Sequence, residues 1–262
     1  MKKLLLLVTL MLVVSISFSE EIIINNDNFS VNVLSSNDNQ TTIEYNFGSF
    51  EREPVQIDGE NYYHLFLDKE AATYEKGEPA LPKITRSIIV PDQAKMEVNI
   101  ADSKYVEYQM NIAPSKGFIK RNIDPESVPY EFTDVYDSDE FYPDNNAMLG
   151  KPYIMRDFRG IAVTAYPFTY NPVTQTLRVY YHLVLEINNV GFDNVNVKNR
   201  SNSKINAYFE GLYSDHFLNY SRDRYDQLDE HGRIIVISYG AFIEAMQPYV
   251  DWKMQKGIQT DI

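Results

Sequence analysis

Residues 233–262 read RIIVISYGAFIEAMQPYVDWKMQKGIQTDI, and they divide the chain into two kinds of structure. Residues 233–238 are a short run rich in Ile and Val, the pattern of a strand buried on both faces. Gly240 interrupts it. Residues 241–256 then follow helical spacing, with Ile243, Met246, Tyr249, Val250 and Met254 on one side. Pro248 is expected in the first turn of the main helical segment, where a missing N–H costs little. Lys253 and Lys256 suit the C-terminal end of the helix dipole, and Gly257 offers a C-cap. A second strand begins at Ile258. One strand, one crossover helix and the start of another strand cannot bury a parallel sheet. The segment is therefore expected to be the opening of a larger α/β domain.

The preceding residues have another period. The chain is 262 residues long, 44% hydrophobic and 13% aromatic, with 20 Tyr and 14 Phe. That composition predicts a folded, β-rich protein. A net charge of −13 argues against a nucleic-acid partner, which requires a basic face. Residues 1–19 have the form of a secretory signal peptide: Lys2 and Lys3, an apolar core at 4–14, then Ser17 and Ser19 before a cut at Ser19-Glu20. The apolar run is short for a membrane span, and no other stretch would cross a bilayer. With 0 Cys, the exported chain has neither a disulfide framework nor a thiol nucleophile. His64, His182, His216 and His231 lack metal-site spacing.

From residue 20 to 190, short β runs alternate with turns. Strands are expected at 21–25, 29–34, 41–47, 49–57, 62–68, 83–90, 95–108, 153–158, 161–169 and 176–187. Met96, Val98 and Ile100 share one face of their strand, opposite Glu97, Asn99 and Ala101. Asp58-Gly59 and Tyr170-Asn171-Pro172 mark turns. Gly77-Glu78-Pro79-Ala80-Leu81-Pro82 is held extended by its prolines. Residues 111–148, with four prolines, are expected to travel over the surface. The acidic run at 134–140 reads as a solvated loop and lacks the ordered spacing of a calcium loop. Strands at this density with no early helix predict an antiparallel β-sandwich. Residues 191–203 read as a polar linker. Residues 206–220 read as a short helix with Phe209, Leu212, Tyr213, Phe217 and Leu218 on its apolar side, and 226–232 as an acidic loop. The sequons at Asn28, Asn39, Asn199 and Asn219 would matter only in a eukaryotic secretory pathway.

Several of these segments together resemble the front of a gingipain-family cysteine protease precursor. Three carry the likeness to that family's propeptide: Gly77-Glu78-Pro79-Ala80-Leu81-Pro82 with Pro91; Tyr142-Pro143 leading to Arg159-Gly160; and Tyr166-Pro167 through Tyr170-Asn171-Pro172 to Leu177-Arg178-Val179-Tyr180. Phe209, Phe217 and Asn219-Tyr220 resemble the propeptide's tail. Residues 225–262 are similar to the N-terminus of the mature arginine-specific enzymes, through Gly232-Arg233, the Ile-Ile-Val-Ile strand, Val250-Asp251-Trp252-Lys253 and Gln255-Lys256-Gly257.

The resemblance implies a signal peptide at 1–19, a β-sandwich propeptide domain at 20–190, a linker and short helix at 191–224, and a caspase-like start at 225–262. It implies a bacterial protein exported through the periplasm, then secreted or held at the outer-membrane surface. It implies a propeptide that assists folding of the catalytic domain and blocks its active site until cleaved. The family's catalytic Cys and His have no counterpart in these residues, so the chain is not expected to be an enzyme. No cofactor is expected in it, and the resemblance leaves calcium to the catalytic domain.

Two short sites are singled out. Maturation in the arginine-specific members cuts after an Arg that precedes a Tyr, which points to Arg224-Tyr225, with Arg222 as second choice. A guanidinium on an exposed, flexible chain can enter an acidic pocket as a planar fork. Lys120-Arg121, in the proline-marked excursion, would act as a substrate mimic at the active-site mouth without productive geometry. Alternatives are a stand-alone secreted β module with an adhesin-like role, and a protease inhibitor acting in trans. No nucleophile elbow or phosphate loop is present.

Overall fold

The computed structural model of the chain describes residues 19–199, 204–228 and 232–262. The body of the expected signal peptide, residues 1–18, and His231 lie outside the described residues.

In chain order, β1 (Glu20–Ile23), β2 (Ser30–Ser36), β3 (Gln40–Asn46), β4 (Ser49–Ile57), β5 (Glu60–Phe66), β6 (Ala71–Ala72), β7 (Pro82–Ile89) and β8 (Ala94–Gln109) come first. They are followed by β9 (Ala147–Leu149), β10 (Tyr153–Met155), β11 (Phe158–Ala165), β12 (Phe168–Asn171) and β13 (Thr176–Phe192). Among the described residues these strands form three antiparallel sheets. One runs β1-β4-β5. In the second, β11 pairs with β7 along one edge, while β10 and β9 share its other edge. In the third, the long β13 carries β8 along one side; β12 and β3 lie end to end on the other, and β2 follows β3.

Alternation explains the layering. Thr41, Ile43 and Tyr45 of β3 point inward while Thr42, Glu44 and Asn46 do not. Leu183, Leu185 and Ile187 of β13, Ile84 and Ile88 of β7, Val163 of β11 and Leu65 of β5 join them in one core between the sheets. Each fully buried side chain of this kind contributes roughly 1.5–3 kcal/mol. The mainly antiparallel β-sandwich expected from the strand density is the architecture observed.

Several expectations are corrected. The strand at 153–158 is two strands, because Arg156 takes φ 51 in a hairpin turn between β10 and β11. The strand at 161–169 is likewise split at Tyr166-Pro167. Ile100 is exposed although it shares a face with Met96 and Val98. Near it the β8–β13 register shifts, between Val184 and Leu185. The excursion at 111–148 does not begin on the surface: Ile112 and Ala113 are fully buried, because Ala113 N–H bonds Tyr63 C=O and Ala80 N–H bonds Ala113 C=O. The acidic run contains a 3-10 turn, Asp134–Asp137. Among the described residues no group of three or more His, Asp or Glu is placed to hold a metal.

Residues 191–199 are not a free linker either. β13 runs to Phe192, and the next residues wrap the Arg159 guanidinium, which is 0% exposed. Nε donates to Asn196 C=O; one terminal nitrogen donates to Pro91 and Ala94 C=O; the other donates to Val195 C=O and to the Asp193 carboxylate at 2.6 Å. A planar fork with five donors meets five acceptors, which is the condition for burying a charge. Lys198 is buried too, on Asp92 at 3.1 Å.

The helix expected at 206–220 is shorter. After β14 (Ile205–Asn206) and a 3-10 turn, α1 spans Glu210–His216. Tyr213 and Phe217 are buried in a second core with Phe158 and Ile205, whereas Leu212 is 48% exposed. The chain then leaves the helix to cover the edge of β7. Leu218 N–H bonds Ser87 C=O, and the Asn219 amide both accepts from Ile89 N–H and donates to Ile89 C=O. A side chain thus completes a strand edge that would otherwise stand open.

The acidic loop expected at 226–232 contains β15 (Gln227–Leu228), which runs parallel to β14. Beyond it, β16 (Ile234–Ile235) and β17 (Thr260–Asp261) pair in parallel across α2 (Ile243–Gln255), as a strand-helix-strand unit should. The expected strand buried on both faces is only two residues long, and Ile235 and Ile237 are 69% and 95% exposed. Of α2's side chains, all described, Val250 alone is buried. Pro248 lies inside α2 rather than in its first turn. Gly257 takes φ 78 and closes the helix: its N–H bonds Met254 C=O, and Ile258 N–H bonds Lys253 C=O.

Candidate functional site

Lys120 and Arg121 are exposed at the tip of a loop whose two ends meet at one residue. Gly77 N–H donates to Ser115 C=O at 2.9 Å, and Thr133 N–H donates to Gly77 C=O at 3.0 Å. Gly77 therefore clamps the entry and exit of residues 116–132. The Thr133 hydroxyl adds a bond to the same carbonyl at 3.1 Å. Glycine is required there. Its φ is +84°, and a Cβ would stand 2.8 Å from Thr133 Cγ2 and 3.3 Å from Glu131 C=O. Glu78-Pro79-Ala80 continues the clamp. Ser115 N–H bonds Glu78 C=O, and Pro79 and Pro114 form an antiparallel bridge. The proline-marked motif is thus the platform from which the loop rises.

Above this neck the loop is internally braced. Lys116 Nζ bonds Pro125 C=O and lies 4.2 Å from the Tyr130 ring centroid. Asp124 caps a 3-10 turn at Pro125–Ser127. Tyr130 Oη meets His64 Nε2 at 2.8 Å, and Phe132 packs between Tyr62 and Tyr136. Lys76 and Glu131 pair at 2.6 Å. Burial pushes the His64 pKa down, opposed by Glu53 and assisted by Lys116. Burial pushes the Tyr130 phenol up, with Glu53 adding to it. At the tip Ile123 N–H returns to Lys120 C=O, closing a turn that holds Lys120 and Arg121 outward; Phe118 beside them is 87% exposed. The arrangement presents two cations on a braced loop over a β body.

The junction is placed elsewhere. Arg224 is exposed and lines a depression of about 300 Å3 with Asn37, Asp38, Pro91, Asp92 and Asn219. It ends a 3-10 turn, Arg222–Arg224, rather than a loose chain. Arg222, the second choice, pairs with Glu210 of α1 at 3.3 Å. Tyr225 is half-buried in the second core, contrary to the exposed chain expected there. Ser19 and Glu20 lie at the start of β1, where the Ser19 hydroxyl bonds Glu51 and Glu20 accepts two bonds from Arg52. The three sites do not converge.

The family model Propeptide_C25 matches residues 23–227. The chain belongs to the Propeptide_C25 family. That match runs through the segment around Arg159 and past Arg224-Tyr225. Gingipain R1 of Porphyromonas gingivalis is 39% identical over 191 residues, covering 72% of this chain and 19% of that protein. Lys-gingipain HG66 of the same species is 26% identical over 237 residues, covering 85% of this chain and 13% of the relative. The chain thus spans about a fifth or less of the length of these curated relatives. A solved complex of Porphyromonas gingivalis RgpB pro- and mature domains superposes with a TM-score of 0.67 at 32% identity, over 73% of this chain and 98% of the other. A structure described as giving insight into the zymogenic latency of gingipain K shares the fold, with a TM-score of 0.57 at 21% identity.

Residues 23–227 are therefore a gingipain-type propeptide, as the resemblance implied. Among the described residues no helix is long and apolar enough to cross a membrane. The clamp at Gly77 and the bracing of Lys116 and Tyr130 are what sequence reading missed. The signal was present, since Gly77 opens the motif that carries the family likeness.

Proposed function

We propose that this propeptide keeps an exported gingipain-type cysteine endopeptidase latent and assists its folding. The carrying observation is the loop clamped at Gly77, which holds Lys120 and Arg121 outward on a braced stem. A basic side chain fixed in this way can enter an acidic substrate pocket at little ordering cost, because the loop is already braced. Binding of that kind lacks the geometry for attack and so inhibits rather than reacts. The identity to gingipain R1 is higher than to the Lys-gingipain, which favours an arginine-preferring partner and Arg121 as the inserted residue. Many modest contacts from the β body would add to the hold, and maturation at Arg224-Tyr225 would turn the tethered blocker into a dissociable one. Residues 1–19 would direct export, with the cut at Ser19-Glu20. The catalytic domain is the expected partner, and any calcium belongs to it.

The test is inhibition in trans of a mature arginine-specific gingipain. Arg121→Ala is expected to weaken inhibition by about 2–4 kcal/mol, the range of a buried interfacial hot spot. Lys120→Ala is expected to have a smaller effect. Unchanged inhibition in both variants would remove the loop from the mechanism.

A further inference from the structure

The residues that follow Arg224 are threaded into the propeptide's own second core. The Tyr225 ring lies parallel to Tyr220, with centroids 5.8 Å apart at 9°, and meets Phe158 edge-on at 4.8 Å. Asp226 C=O accepts Ile205 N–H at 2.8 Å, and Gln227 and Leu228 continue that contact as β15 along β14. The Gln227 amide donates to Tyr225 C=O at 3.1 Å and reaches Arg222 C=O at 3.4 Å. On the near side, Arg224 N–H bonds Ser221 C=O and Tyr225 N–H bonds Arg222 C=O, each at 3.2 Å. The amide between Arg224 and Tyr225 is therefore held in a turn, with an exposed cation before it and an aromatic anchor after it.

We infer that residues 225–228 form a latch that shields the Arg224–Tyr225 bond from proteolysis. A protease takes its substrate as an extended strand, so this turn must open before the bond can be reached. Opening requires Tyr225 to leave Phe158 and Tyr220 and β15 to leave β14. The exposed Arg224 can be recognised while the amide stays closed, so the rate of cutting follows the open population. Hydrolysis adds water across the amide, leaving a carboxylate on Arg224 and an ammonium on Tyr225. The latch deepens the reading of Arg224-Tyr225 as the maturation site, and the two stand or fall by different measurements.

The experiment is limited trypsin digestion of the full 262-residue chain, with site-resolved initial rates read by mass spectrometry. Synthetic peptides spanning residues 219–228 provide the unlatched rate, with and without Tyr225→Ser, so that any preference of trypsin for the residue after the cut cancels. In the wild-type chain, cutting at Arg224 is expected to be at least ~100-fold slower than in its peptide. Tyr225→Ser should raise the chain-to-peptide ratio by at least ~10-fold, and Tyr225→Phe should restore protection, while cutting at Arg121 stays constant. Cutting at Arg224 in the intact chain at the peptide's rate, or an unchanged ratio in Tyr225→Ser, would overturn the latch. A mature enzyme whose N-terminus is not Tyr225 would instead sink the maturation-site reading and leave the latch as measured.

Discussion

Replacing Gly77 with alanine should weaken inhibition as well as the fold. The residue sits at φ +84°, where an L side chain pays roughly 1–2 kcal/mol. The new Cβ would stand 2.8 Å from Thr133 Cγ2, so Thr133 must move away from the Gly77 carbonyl it bonds through both N–H and hydroxyl. Two such bonds contribute about 0.5–1.5 kcal/mol each. The neck therefore loses on the order of 2–5 kcal/mol, and the loop that carries Lys120 and Arg121 must be ordered again on binding. At about 1.4 kcal/mol per decade, inhibition in trans should weaken by roughly 30- to 4,000-fold. Gly59→Ala is the matched control. Gly59 also has a positive φ, +88°, but nothing lies within 4 Å of its Cβ position, and it serves the β4–β5 hairpin. It should lower stability by a similar strain while leaving the inhibition constant unchanged. Inhibition by Gly77→Ala within about threefold of wild type, well under the roughly 1.4 kcal/mol of a single decade, would refute the argument that the clamp pre-orders the loop.

Three further outcomes are expected. Arg159→Ala should lose about 3–5 kcal/mol in urea unfolding, because it strands buried acceptors around an empty site, and Arg159→Lys should recover only part of that. Gly160→Ala should destabilise by about 1–3 kcal/mol by the same assay, through overpacking. There a Cβ would come within 2.5 Å of the Phe217 ring and 2.8 Å of Tyr153. His64 has its folded pKa below the ordinary value, so its neutral form is favoured in the fold. The unfolded chain then takes up the proton first as pH falls, so the stability from neutral His64 is complete above about pH 6.5 and is lost below it. The stability gap between wild type and His64→Gln should accordingly shrink from pH 8 to pH 5, and a gap that grows on acidification would contradict this sign.

Strand order in the chain was largely legible because alternation survives where one face is buried. The strand at 41–47 could be read from its residues, and so could the turn at Asp58-Gly59. Boundaries failed where a single local conformation intervenes: Arg156 at positive φ divides one apolar run into the hairpin of β10 and β11. The segment at 191–199 was misread because its polarity is that of a linker. Its Val195 and Asn196 carbonyls are taken by one buried guanidinium that comes from Arg159, far away in sequence. As basic, exposed residues Lys120, Arg121 and Arg224 were legible, unlike the half-burial of Tyr225. Their mechanical setting was not.

The amino-acid sequence by itself determined the two-part character of this chain: a β-rich, acidic, cysteine-free body followed by one strand-helix-strand unit. Composition and period depend on the neighbours of each residue along the chain, and those are given. Tertiary structure alone decided that Gly77 closes a loop between Ser115 and Thr133, that Arg159 binds the segment after β13, and that Tyr225 docks on Phe158. Each of these joins groups distant in sequence, through hydrogen bonds and ring contacts whose geometry exists only once the sheets have packed.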